Sequence, residues 1–410
     1  MKNNINISQL SKIDTTTSEF VELRKNNKIY VDKTAFIYKL CCDNSHKCLA
    51  RPQGFGKTLL ISTLEELFKH GVKPYDGHDS YFKGLAIESL WKDESTYHVF
   101  RLDFRNFRRG AFDYIDIFNE ELSLAIKTFG NEIGYKYNEQ DNTKRNLLNL
   151  IEFSKRKSIV ILIDNYDLPL LFNEKDSFNY AKYSNELKDI VSVLKYCCGA
   201  LKFAFLAGTT IYRYSSIAES GNHLQDLFKN KLYSSVVGFT KDELRIFFEN
   251  LLTCKISNKK GCPSTDVKLS QVSNLISAIN DHYGHYCFDG ECSIEVMHPG
   301  SVLSYLSDED DQWKNYKLKR DDFPIRLWTQ MPELKHDFEI LLQNTGITIG
   351  DFPTPYDFPE EDLFVQLFQS GFMSFCKNDE TLAFFKNKLK LHFPNKEVIE
   401  ATKKMVKKFC

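Results

Sequence analysis

The most constraining stretch of this 410-residue chain is SIVILIDNYD, residues 158–167. Apolar, mostly β-branched residues run from Ile159 to Ile163 without interruption and end on an aspartate. Strict alternation would mark a strand with one wet face. An unbroken run marks a strand covered on both faces. Such a strand needs helices above and below its sheet, which implies an α/β domain with a mostly parallel sheet. The run is far too short to span a bilayer, and no run of 18 or more apolar residues occurs elsewhere.

Three other segments share this character: KCLA at 47–50, HVFRLDF at 98–104 and LKFAFLAG at 201–208. Helical patterns lie between them. TLLISTLEELFKH, from Thr58, places Leu60, Leu64, Leu67 and Phe68 on one face. FNEELSLAIKTF, TKRNLLNLIEFSKRK and YSNELKDIVSVLKYCC have similar spacing. Strands alternating with helices place one α/β domain over residues 1–240.

After LYSSVVGFT the pattern becomes helical. Thr240 with Glu243 three residues on forms a capping box for FTKDELRIFFENLL, 239–252. Residues 241–335 are expected to form a helical lid. Residues 336–410 end in a short alternating strand, LKLHF, then Pro394 and a basic helix. This fits a small winged-helix-like domain, or equally an α/β appendage. NKKGCPSTD at 258–266 reads as an exposed loop and DEDD at 308–311 as a solvated face.

Composition excludes several classes. With 42% hydrophobic and 27% charged residues the chain is globular rather than disordered. A net charge of −1 argues against nucleic-acid binding over the whole surface, so any such contact needs a local patch. Lys403, Lys404, Lys407 and Lys408 on the last helix are the candidate patch for DNA; a solvated face is the plain alternative. The 11 cysteines include no C-x-x-C pair and form no evident framework, which suggests a reducing compartment. Cys287 and Cys292 lie near His282 and His285, but without a finger-like layout, so no metal is assigned there. The polar N-terminus has no apolar core of a secretory signal. A soluble, cytoplasmic protein without a membrane partner is expected.

RPQGFGKT, residues 51–58, sits between the first apolar run and an amphipathic helix. G-x-x-x-x-G-K-[ST] is the phosphate-binding loop, and Gly56, Lys57 and Thr58 supply its end. Arg51 stands where the opening glycine belongs. Gly54 can provide backbone freedom, and Arg51 adds positive charge near phosphates. In this setting backbone N–H groups and a helix N-terminus converge on phosphate oxygens. Lys57 would meet the β/γ-phosphates and Thr58 the magnesium. A tight turn with surface charge is the alternative. Asp164 then reads as a Walker B carboxylate that holds Mg²⁺ at a strand's C-terminal end, or else as a cap. The strand at 201–208 ends in Thr209, a candidate γ-phosphate sensor, with Arg213 in reach of a nucleotide; both also suit structural roles. Together these strands indicate a P-loop NTPase core.

Six ordered blocks carry a resemblance to a family. They are FVELRKNNKIYVDKTAFI at 20–37, RPQGFGKT at 51–58, VILIDNYDLPL at 160–170, LAGTTIYRYSSI at 206–217, HYGHYCFDG at 282–290 and FPNKEV at 393–398. In these the chain resembles the AAA-ATPase-like family of bacterial proteins, which often carry a C-terminal PD-(D/E)XK nuclease. The resemblance implies an ATPase core using ATP and Mg²⁺, and it accounts for Arg51, since these loops begin R-P. Asp32 and Lys33 fall in a block just ahead of the nucleotide strand, as candidates for a nucleotide or domain contact.

The chain departs from the family pattern in three places. Gln53 and Gly54 replace two arginines, Asn165 replaces the glutamate expected to polarise the attacking water, and Ile211 replaces an arginine. An amide accepts no proton at neutral pH. Asp167 or Asp103 would have to serve instead. No spaced acidic–acidic–x–Lys core follows Val398, so no nuclease activity is expected, and a separate protein would supply any effector step. The expectation is an ATP-binding protein with slow or impaired hydrolysis coupled to domain motion. A non-hydrolysing scaffold and a DNA-contacting module are the alternatives.

Overall fold

The apolar runs form the central sheet. The structure, a computed structural model, describes residues 13–43, 45–107, 114–169, 177–209, 223–308, 310, 312–316, 347–349, 367–376 and 389–408. Strands β1 (His46–Ala50), β2 (His98–Asp103), β3 (Ile159–Asp164), β4 (Phe203–Gly208) and β5 (Leu224–Asp226) form a five-stranded sheet in the order β2-β3-β4-β1-β5. Every pairing in it is parallel. The mostly parallel sheet read from the sequence is thus parallel throughout.

β3 shows why its run is unbroken. Val160 and Leu162 join one hydrophobic core, while Ile159, Ile161 and Ile163 join a second on the opposite face. Phe203 and Phe205 of β4 fall in the first core, Ala204 and Leu206 in the second. The first core is covered by α1 (Phe20–Lys25), α2 (Thr34–Cys41), α3 (Lys57–His70) and α4 (Ala86–Leu90). The second is covered by α5 (Tyr114–Ile133), α6 (Thr143–Phe153) and α7 (Ser177–Tyr196). α3 is more than amphipathic. Leu60, Leu64, Leu67 and Phe68 are buried as their spacing predicts, and so are Ile61, Thr63 and Glu66. Each large apolar side chain there contributes about 1.5–3 kcal/mol.

The sheet register sets the site. Asp103 pairs with Asp164, Asp164 with Ala207, and Ala50 with Gly208. The C-terminal ends of β1 to β4 therefore lie in one row, where ligands bind in open α/β sheets.

Beyond residue 240 come α8 (Lys241–Lys260), α9 (Leu269–Tyr283) and α10 (Pro299–Ser307), with a short antiparallel hairpin, β6 (Tyr286–Cys287) and β7 (Glu295–Val296). The Thr240–Glu243 capping box is present at the start of α8. Leu244, Phe248, Ile276, Tyr283, Val302 and Tyr305 anchor a third core. DEDD is more than a solvated face: Asp308 accepts Lys314 (2.6 Å) and the Tyr316 hydroxyl (3.0 Å).

In the last segment β8 (Ile347–Ile349), β10 (Leu389–His392) and β9 (Ser374–Cys376) form an antiparallel sheet in that order, followed by α11 (Lys396–Lys408). The strand LKLHF and the basic helix are where the sequence put them. Most of the winged-helix expectation, made for 336–410, falls on 336–346, 350–366 and 377–388, outside the described residues, as does 317–335 of the expected lid. Lys403 and Lys404 are exposed; the side chains of Lys407 and Lys408 lie outside the described set. Among the described residues, no helix is long and apolar enough to cross a membrane.

Candidate functional site

The loop that leaves β1 makes two left-handed turns before α3 begins. Gly54 has φ +83° and Gly56, the residue ahead of α3, has φ +97°. Residues with a Cβ rarely adopt this conformation, so glycines at 54 and 56 replace the absent one at 51 as the points of backbone freedom. The loop therefore aims the N-terminus of α3, where the first N–H groups lack partners within the helix itself, at the end of the sheet. Lys57 is buried and folds back across the loop, donating to the carbonyls of Arg51 (2.7 Å) and Pro52 (3.0 Å).

Arg51 corrects an expectation. Its guanidinium is not surface charge and does not face the loop's cavity. It is fully buried, donates to the carbonyls of Ala50, Phe228 and Tyr233, and lies over the Phe288 ring (4.5 Å). Burial pulls its pKa down, and Asp226 with Cys287 and Asp289 partly restores it. Arg51 ties the loop's base to the segment after β5.

Asp164 ends β3 fully buried, and neither carboxylate oxygen has a hydrogen-bond partner among the described residues. Burial raises its pKa above the usual carboxylate range. The neighbouring Thr58 hydroxyl, Lys57 and Arg105 pull it down, and Asp103 adds to the rise. A carboxylate in this condition is costly unless a cation or proton joins it.

Asn165 follows with φ +53°, a turn conformation that asparagine tolerates. Its amide donates to Asp103 (3.0 Å). Arg105 holds both oxygens of Asp103 through Nε and Nη2. Burial alone would lift the Asp103 carboxyl, but the Arg105 and Asn165 bonds outweigh it and hold it low. Asp103 in turn holds Arg105 charged, as the largest influence raising the pKa of this half-exposed guanidinium.

A cavity of about 340 Å³ opens here, lined by Gly54, Gly56, Lys57 and Thr58 from the loop and by Arg105 and Asn165 from the strand ends. Its volume falls within the range of small-molecule sites. Three cations, Lys33, Lys57 and Arg105, and a helix N-terminus therefore line one space, and the buried acid Asp164 adjoins Thr58 without itself lining the cavity. Such a set can bind a polyanion together with a divalent cation.

Of the other candidates, Lys33 also lines this cavity. Asp167 is buried and accepts the Thr209 N–H (2.9 Å), so this pair joins the β3 and β4 ends; neither residue lines the cavity. Arg213 and Ile211 lie outside the described residues. Asp32 accepts the N–H of Thr34 (2.8 Å) and of Ala86 (2.8 Å). Lys33 bonds the Ser235 carbonyl (2.8 Å) and Glu243 (2.6 Å), which makes it a contact between α2 and α8. Arg105 is the residue that sequence reading missed. Its signal was present, as a basic residue two positions past the acid of an apolar strand, the place where strand ends carry ligands.

The chain is 27% identical over 241 residues to an "Uncharacterized protein in vnfD 5'region" of Azotobacter chroococcum mcd 1, covering 58% of this chain and 45% of that protein. The chain thus spans under half the length of this relative. No solved structure matches. A family model described as "Predicted AAA-ATPase" matches residues 14–218, the part that carries β1 to β4, the loop after β1 and the acid at the end of β3. With half its length under that model, the chain belongs to the AAA-ATPase-like family.

Proposed function

We propose that the chain binds ATP with Mg²⁺ in the cavity at residues 53–58 and turns it over slowly. The observation that carries this reading is the Asp164 carboxylate, buried without a partner beside Thr58, at the N-terminus of a helix whose first residue is Lys57. Thr58 and Asp164 are the residues that would hold the cation. When bound, Mg²⁺ supplies positive charge against the phosphates. The loop N–H groups and Lys57 would bind the β- and γ-phosphates, and Arg105 offers a further cation on the same wall.

Slow turnover follows from the engaged carboxylates. Asn165 has no basic oxygen of carboxylate strength and spends its amide on Asp103. Asp103 already accepts Arg105, and Asp167 already accepts Thr209. Losing a positioned base costs about 10²–10⁴ in rate. Pro299 and Gly300 contribute to the cavity wall, so segment 241–335 would act as a lid that moves when nucleotide enters or leaves.

Calorimetry with Mg²⁺–ATP tests the reading. Wild type should bind, and Lys57→Ala should weaken binding about 10- to 100-fold through loss of a charge-assisted contact. Asp164→Asn should remove the Mg²⁺ dependence. No heat from wild type, or equal affinity in Lys57→Ala, would refute the site.

A further inference from the structure

His298 binds the nucleotide loop from the far side of the sequence. It caps α10, its ring is buried, and its Nδ1 accepts the Ser301 N–H (3.0 Å). That bond leaves Nε2 to carry the proton, and Nε2 lies 2.9 Å from the Gln53 carbonyl. The Gly300 N–H also reaches the Gly54 carbonyl (3.3 Å). The imidazole fills the space that a side chain at 54 would need: a Cβ there would come within 2.6 Å of Cε1 and Nε2. Phe55 packs edge-on against the same ring, with centroids 5.0 Å apart.

The contact continues into α11. The Ser301 hydroxyl donates to the Glu397 carboxylate (2.9 Å), and the Tyr316 N–H donates to the same group (2.7 Å). Glu397 and Ser301 are both buried. A chain of polar contacts thus runs from the loop backbone through His298 and Ser301 to a carboxylate in the first turn of α11.

We propose that His298 is a positioning residue for the loop, and that the His298–Ser301–Glu397 chain couples nucleotide binding to the seating of α11. This rests on the reading of residues 53–58 as a nucleotide site. A loop held in one shape by His298 meets phosphate without reorganising, so affinity falls when the contact is lost. The coupling is reciprocal: nucleotide in the loop favours the seated helix, and a helix pulled away weakens nucleotide binding by the same factor.

The test uses the full chain, titrated with a fluorescent Mg²⁺–ATP analogue, together with amide hydrogen exchange of residues 53–58 without nucleotide. His298→Ala should weaken binding about 3- to 10-fold, the range for one lost hydrogen bond. His298→Gln keeps a donor and should recover most of that affinity. Glu397→Gln is isosteric and remote from the loop, yet should weaken binding and speed exchange of the loop amides while leaving β3 unchanged. Binding by His298→Ala within twofold of wild type would overturn the positioning role. Unchanged loop exchange in Glu397→Gln would overturn the coupling. If wild type binds no nucleotide, the site reading fails instead, and the exchange measurement still decides whether Glu397 in α11 holds the loop.

Discussion

Gly54 and Gly56 share a left-handed backbone but not a neighbourhood. A Cβ at Gly56 meets nothing within 4 Å, whereas one at Gly54 meets His298. Alanine at either position costs about 1–2 kcal/mol in backbone strain. Gly54→Ala adds a clash with a ring held by hydrogen bonds on both nitrogens. In urea titrations without nucleotide, Gly54→Ala should therefore lose more stability than Gly56→Ala; equal losses would show that the ring yields freely. Asp164 makes an opposite case. Its folded pKa is raised, so the native state retains a proton over a window beginning near the unfolded value of about 3.9. There the native state binds more protons than the unfolded one, and stability falls as pH rises through the window. Asp164→Asn removes this penalty. It should stabilise the ligand-free protein by about 1–3 kcal/mol at neutral pH while impairing Mg²⁺-dependent binding, with the stability gain vanishing below pH 4.

At the scale of elements, the ends of β2 and β3 form one unit. Asp103 and Asp164 are register partners, and Asn165 and Arg105 tie the first of them down. Asn165→Glu puts a third carboxylate among them, in a left-handed turn that suits asparagine better. It should destabilise the fold by about 1–3 kcal/mol. It should also raise steady phosphate release at least tenfold, since a base would then stand at the strand end. Denaturation and phosphate-release assays on the same preparation check both, and unchanged release would mean that a missing base is not what limits the rate. Much of this unit was legible in the sequence, because β3 is long enough for its unbroken apolar run to declare two buried faces. Thr240 and Glu243 were legible too, since a capping box is a local code. β5, β6 and β7 were not, being two or three residues long, too short to show a period. The burial of Arg51 was hidden for another reason. Its acceptors at Phe228 and Tyr233 lie far along the chain, and no local pattern announces them.

Across the whole molecule the first core ignores the boundaries that composition suggests. It joins Leu49, Phe55 and Phe205 of the parallel-sheet domain to Tyr286 and Phe288, and onward to Phe368, Phe375 and Val398. Polar contacts follow the same path: the Tyr286 hydroxyl donates to the Gly371 carbonyl (3.1 Å) and the Cys287 N–H to Ser374 (2.7 Å). Lys33 and Glu243 add a largely buried ion pair between α2 and α8. Segments that share a core and its hydrogen bonds lose stability together, because opening one exposes the other. Phe368 stands at the centre of this junction, edge-on to Phe228 and Phe288 and close against Phe375. Phe368→Ala leaves a cavity there and should cost about 3–5 kcal/mol. Hydrogen exchange followed through a urea series should show β1, β3 and the 286–298 segment losing protection at one midpoint, and Phe368→Ala should move that midpoint for all three. A separate early transition confined to residues after 240 would show that the lobes unfold independently. In that event nucleotide at residues 53–58 could not stabilise the C-terminal helix through the shared core, and the polar chain through His298 would be left to carry the coupling between them.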